Sequence, residues 1–192
     1  MRILLAALAA FGISAAVGWV LIPALRALHA GQSIKEIGPN WHKSKEGTPT
    51  MGGIMFIAAA AVSVLAFGWR DMAEGSWQAL FVLAFALVCG GIGFIDDYAK
   101  IRKHENTGLT AGWKFLLQLA AAIAFLALLR WQGILSPTLY VPFLNAEVTL
   151  TWGVYLVFAA FVMVGCVNAV NLTDGLDGLA GSVTLAVCVF FA

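Results

Sequence analysis

Apolar runs of bilayer-spanning length recur along this chain and leave it few ways to fold. Stretches 3–25, 54–69, 77–95, 113–131 and 152–167 hold almost no charge. A helix rises about 1.5 Å per residue and a hydrocarbon core is about 30 Å thick, so about 20 apolar residues cross it. No water meets the backbone there, which restricts a spanning segment to a helix or a closed barrel. Composition agrees. The 192 residues are 61% hydrophobic and 11% charged, where a soluble domain carries about 25% charged residues, and the mean hydropathy is +0.91. The expected fold is an all-α polytopic membrane protein with five transmembrane helices and a truncated sixth.

The first run follows Arg2 and is rich in alanine, like a signal peptide. It is too long for an apolar signal core of about 7–15 residues, so a retained spanning helix is expected, with Pro23 tolerated near its end. The run 54–69 is short and is completed by interfacial Trp69 and Arg70. Between the fourth and fifth runs the pattern changes. Residues 139–141 and 148–151 are β-type, around Pro142 and Asn145, which predicts a small hairpin near 139–151 outside the bilayer. The apolar run from 179 to 192 is shorter than a span. The expectation is therefore one membrane domain over 1–192, forming the N-terminal part of a longer protein.

Parity sets the sides. Loops 29–50, 96–112 and 168–178 fall on one face, and the first two hold Lys35, Lys43, Lys45, Lys100, Arg102 and Lys103. The opposite loops hold Arg70 and, at a helix edge, Arg130. Short loops rich in Lys and Arg stay cytoplasmic, so the N-terminus and the hairpin are expected to be periplasmic. The net charge of +1 is uninformative about nucleic acid, because the few basic residues sit in short loops rather than on one stripe, and no nucleic-acid partner is expected. Cys89, Cys166 and Cys188 sit singly in apolar runs, which predicts small buried hydrophobes rather than a disulfide framework or zinc site. His29, His42 and His104 are scattered and read as solvated. The 13 Phe and 7 Trp suit lipid contact and interfacial anchoring.

Three polar clusters lie on the cytoplasmic side. The Asp96–Asp97 pair closes the third run. Each Asp inside hydrocarbon costs about 2.5–3.5 kcal/mol on insertion scales, so such a pair marks either a helix exit or a site. Adjacent helical residues point about 100° apart, which predicts that the two acids do not share one partner. One is free to hold Mg²⁺ while the other serves as base, and Lys100 lies within reach of Asp97 at i+3. Residues 43–53 combine lysines with Gly47, Pro49, Gly52 and Gly53. They read as a phosphate cradle opening a helix, or as an ordinary turn; no Walker A pattern is present. In 168–181, Asn168, Asn171, Asp174 and Asp177 recur every third residue. On one continuous helix each step of three drifts by about 60°, so a break near 171–175 is expected, with Thr173 or Asp174 as N-cap of a new helix. Asn and Asp there suit a nucleobase, a ribose or a metal ion.

GTPTMGG at 47–53, GFIDDYAKI at 93–101 and NAVNLTDGLDGLAG at 168–181 together resemble the phospho-N-acetylmuramoyl-pentapeptide-transferases. These belong to the polyprenyl-phosphate N-acetylhexosamine-1-phosphate transferase superfamily. The resemblance implies transfer of phospho-MurNAc-pentapeptide from UDP-MurNAc-pentapeptide to undecaprenyl phosphate, giving lipid I and UMP, with Mg²⁺ as cofactor. It implies a fold of about ten helices in the bacterial inner membrane, often as a homodimer. Asp96 matches an acid that deprotonates the lipid phosphate or attacks as a nucleophile; Asp97 matches its metal- and phosphate-supporting neighbour. Lys45, Thr50, Lys100, Asn168, Asn171, Asp174 and Asp177 match positions lining the nucleotide pocket. The family's later helices add a further metal-binding aspartate, a phenylalanine and a histidine-rich loop, so residues 1–192 alone are expected to be inactive. The alternatives are a sister GlcNAc-1-phosphate transferase, an ion-coupled transporter with Gly-broken helices, and a non-catalytic fragment.

Overall fold

The computed structural model describes residues 1–27, 50–103, 108–176 and 178–191. In chain order its elements are α1 (Arg2–Ala27), α2 (Gly53–Ala73), α3 (Gln78–Lys103), α4 (Ala111–Trp131), β1 (Thr138–Val141), β2 (Ala146–Thr149), α5 (Trp152–Thr173) and α6 (Leu179–Phe191). Helices α1 to α5 are each long and apolar enough to cross a membrane, and α6 is a shorter apolar helix. Two compact units form, Met1–Leu117 and Gln118–Ala192, with their boundary inside α4.

In the first unit, α1 packs along α2 and α2 along α3. Small residues let these backbones approach, as membrane helices require in the absence of a hydrophobic drive between them. A Cβ on Gly18 would stand 3.0 Å from the Met55 sulfur, and one on Gly90 would stand 2.6 Å from Ile57 Cδ1. Arg2 reaches Asp71 at 3.3 Å, which sets the start of α1 beside the end of α2. The α2–α3 turn is a Schellman motif. Ser76 N–H donates to Asp71 C=O at 2.8 Å and Gly75 N–H to Met72 C=O at 3.0 Å, while Gly75 takes φ +88°, a conformation that costs glycine little.

In the second unit, Ala122 and Leu126 of α4 form a core with Ala160 and Val164 of α5, onto which Leu135 packs. The predicted hairpin is present. Its antiparallel register pairs Thr138 with Thr149, Leu139 with Val148, Tyr140 with Glu147 and Val141 with Ala146. Few apolar side chains on the six helices are buried, as expected of segments whose solvent is lipid.

The helix ends differ from expectation. The helix that carries the Asp pair does not give way to a loop there, because α3 continues to Lys103. Likewise α5 runs through Asn168 and Asn171 to Thr173. A break does follow, but Asp174 is the C-cap of α5, its N–H donating to Val170 C=O. Thr173 bonds Ala169 C=O, and neither residue begins a helix. Cys166 and Cys188 are exposed rather than buried, and Cys89 is half-buried.

Candidate active site

Continuation of α3 past its apolar part has a local cause. Acids placed three and four residues before a lysine support a helix, and Asp96, Asp97 and Lys100 have that spacing. Lys100 Nζ lies 2.8 Å from Asp96 Oδ2 and 2.9 Å from Asp97 Oδ1. The two acids therefore share one partner, against expectation. Position 100 lies about 40° from position 96 and about 60° from position 97 around the helix axis, a gap that a long flexible lysine side chain bridges from either side.

Asp96 is buried, with 6% of its surface exposed. The chain that follows α3 folds back over it. Leu109 N–H donates to its Oδ1 at 2.8 Å, and Lys114 Nζ, in the first turn of α4, donates to its Oδ2 at 3.3 Å. Gly108 lies directly on the carboxylate. A Cβ there would collide with Asp96 Oδ1 and stand 2.7 Å from its carbonyl oxygen. Two acids and two lysines make this cluster neutral, which offsets the cost of holding the Asp96 charge out of water. Asp97 is more exposed than Asp96. Among the described residues its Oδ2 meets no donor.

A lysine at the start of a membrane helix commonly snorkels along that helix to the interface, and Lys114 has that position. It is instead the fourth member of the charge cluster, 18 residues from Asp96 along the chain. Gln118 is a second residue missed from sequence. Buried at 4% exposure, it accepts from Asn168 Nδ2 at 2.7 Å, and the same amide nitrogen donates to Val164 C=O at 2.9 Å. Both amide hydrogens of Asn168 are thus used inside the second unit, and its oxygen is what remains for a ligand. Asn171 and Asp174 are exposed. Thr50 is half-buried just before α2, where Met51 takes a left-handed φ of 67°. Lys45, Asp177 and the remainder of the 29–50 loop lie outside the described residues. The structure therefore gathers Asp96, Asp97 and Lys100 with Lys114 in the first unit, and places Asn168, Asn171 and Asp174 along one helix end in the second.

Among the described residues no three Asp, Glu, His or Cys side chains gather as a metal cage. That does not exclude Mg²⁺, which takes one or two carboxylates together with substrate phosphates and water. Asp97, offering a hard oxygen clear of the described donors, fits that donor chemistry; Asp96, with both oxygens engaged, does so only after losing a partner.

A membrane-helix scaffold with a buried, lysine-clamped carboxylate at one helix end is the setting in which comparison with known proteins becomes specific. The chain belongs to glycosyl transferase family 4, whose model matches residues 79–192. Residues 45–57 also match signature 1 of the phospho-N-acetylmuramoyl-pentapeptide-transferases. The chain is 44% identical over 168 residues to the enzyme of that name from Listeria monocytogenes serotype 4b, covering 86% of this chain and 50% of the relative. It is 44% identical over 177 residues to the one from Staphylococcus saprophyticus, covering 90% of this chain and 54% of the relative. The chain thus spans about half the length of the curated relatives it matches.

Proposed function

We propose that this protein serves the transfer of phospho-MurNAc-pentapeptide from UDP-MurNAc-pentapeptide to undecaprenyl phosphate, yielding lipid I and UMP. The reaction takes place at the cytoplasmic face of the bacterial membrane, with the N-terminus in the periplasm. The observation that carries this reading is the Asp96 carboxylate. It is buried where the apolar part of α3 ends, held by Lys100 and Lys114, and flanked by Asp97 on the same lysine. Kinship with relatives named for this transfer supplies the substrate.

The resting cluster neutralises itself, and that suggests how its residues work. An incoming diphosphate competes with Asp96 for Lys100 and Lys114, since ammonium groups bind phosphate as point charges. Each lysine that turns to the phosphate frees Asp96 Oδ2 to accept the proton of the lipid phosphate, while the Leu109 N–H keeps Oδ1 in place. The two lysines then face the charge that develops on the oxygens in transfer. Asp97 would hold Mg²⁺, which when bound would neutralise diphosphate charge and orient the leaving group. By kinship with those relatives, Lys45, Thr50, Asn168, Asn171, Asp174 and Asp177 are assigned to binding the nucleotide.

The test is a radiolabel or fluorescent assay in membranes carrying the protein from its complete reading frame, with UDP-MurNAc-pentapeptide and UDP-GlcNAc offered separately. Lipid I should form only from the first, only with Mg²⁺, and not in Asp96→Asn or Asp97→Asn. Equal use of UDP-GlcNAc, or lipid I formation by both variants at the parent rate, would overturn the proposal.

A further inference from the structure

The hairpin between α4 and α5 has two unlike faces. Alternation along paired strands puts Leu139, Val141, Ala146 and Val148 on one side, and Thr138, Tyr140, Glu147 and Thr149 on the other. The polar side is internally bonded. Thr138 and Thr149 hydroxyls meet at 3.3 Å, and Tyr140 Oη donates to Asn145 Oδ1 at 2.6 Å across the turn. At the tip, by contrast, Phe143 is 99% exposed and Leu144 73%. A free two-stranded hairpin is at best marginally stable in water and needs a surface for its apolar face.

Its attachment says which surface. Only Leu150 and Thr151 separate β2 from α5, and Leu150 N–H extends the ladder to Pro137 C=O at 2.9 Å. On the other side Gly133 and Ile134 close a Schellman turn on α4, and Leu135 is packed on the α4–α5 core. The root of the hairpin is therefore tied to the ends of two helices long enough to cross a membrane. Those ends carry the marks of a bilayer boundary: exposed Trp131 and Arg130, whose guanidinium lies 4.4 Å from the centre of the Trp152 ring. Strands of four residues cannot carry the tip far from that boundary. From 132 to 151 the single charge is Glu147, on the polar face.

We infer that the hairpin lies on the membrane that α4 and α5 cross, with Phe143 and Leu144 inserted at the headgroup–acyl boundary and Glu147 turned to water. The partner is the phospholipid interface itself, held by apolar contact and not by charge, since the segment offers no cation after Arg130. This reading requires only that α4 and α5 span, and it is independent of the reaction assigned to the protein.

The test uses the full chain in phosphatidylcholine vesicles, with Cys89, Cys166 and Cys188 replaced by alanine and an environment-sensitive NBD probe on Phe143→Cys or Glu147→Cys. The probe at 143 should emit blue-shifted light and be quenched at least threefold more by lipids bearing a shallow doxyl group than by iodide on both sides. The probe at 147 should show the reverse. Leu144→Cys gives the same reading should Phe143→Cys fail to assemble. Iodide quenching at both positions would overturn the inference, as would protection of position 143 from both quenchers, the sign of a protein cover from a second copy or another segment. A need for anionic lipid would overturn the apolar basis of the contact. Lipid I synthesis, measured on the same samples, reads the proposed reaction separately.

Discussion

The polar end of α3 and the polar end of α5 are built on opposite plans. At α3 every described charge near Asp96 is answered inside the first unit, by Lys100, Lys114 and the Leu109 N–H. At α5 only Asn168 is answered, by Gln118 and a carbonyl, while Asn171 and Asp174 stand exposed. The first arrangement spends its charge against itself. The second is a helix end that stops and leaves polar groups for something else to meet. Burial decides between the plans: a carboxylate out of water demands partners, and a surface amide or acid does not.

The comparison breaks most visibly at Asp96. Asp96→Asn keeps the shape and the bond from Leu109 but leaves Lys100 and Lys114 close together without their shared anion. Removing one partner from a buried ionic cluster costs about 3–5 kcal/mol, so thermal melting in detergent should fall strongly and lipid I synthesis should vanish. Lys114→Met should cost less, about 1.5–3 kcal/mol for a charged hydrogen bond, because Lys100 remains. A double-mutant cycle between positions 96 and 114, read by melting, isolates their coupling. Additivity of the two changes would show that the 3.3 Å contact carries no energy.

Gly108→Ala probes the same site without touching a charge. Its Cβ meets the Asp96 carboxylate and carbonyl, and the backbone must retreat, drawing Leu109 N–H away from Oδ1. Overpacking of this kind costs about 1–3 kcal/mol. Synthesis should drop by about tenfold or more through kcat, with KM for the nucleotide little changed. In the second unit, Gln118→Leu strands the Asn168 amide at a cost of about 1–3 kcal/mol, again seen by melting. Asn171→Ala, on the exposed side of the same helix, should shift stability by no more than about 0.5 kcal/mol and raise KM for the nucleotide instead.

These residues also show how much the sequence discloses. Five spans were readable because length and apolarity decide them before any packing does. The Asp97–Lys100 contact was readable because it is local, within one helical turn, whereas the reach of the same lysine to Asp96 was not. The end of α3 was not readable either, whereas the break after α5 falls at Asp174, within the expected 171–175. The polar tail DDYAKIRK looks like a loop once hydropathy falls, yet its acid–lysine spacing keeps it helical. Lys114 and Leu109 reach Asp96 only through the chain's return, which no local pattern records. Gln118 was open to detection. A glutamine inside an otherwise apolar span is costly and calls for a partner on a neighbouring helix, and Asn168 on the next polar helix end is the residue that answers it.

The smallest effect gives the sharpest control. Arg2 and Asp71 form an ion pair at 3.3 Å, the same separation as Lys114 and Asp96. Coulomb's law in a uniform medium would give the two contacts equal weight. Yet the Arg2 and Asp71 side chains are 57% and 50% exposed, whereas those of Lys114 and Asp96 are 20% and 8%. Exposed pairs are screened by solvent and salt and are worth about 0–1 kcal/mol. Arg2→Gln should therefore move the melting temperature by a degree or so at most, and the shift should disappear at high salt, while the Lys114→Met shift persists. A large, salt-resistant loss from Arg2→Gln would mean that distance, and not burial, sets the strength of these pairs, and the contrast between the two helix ends would lose its physical basis.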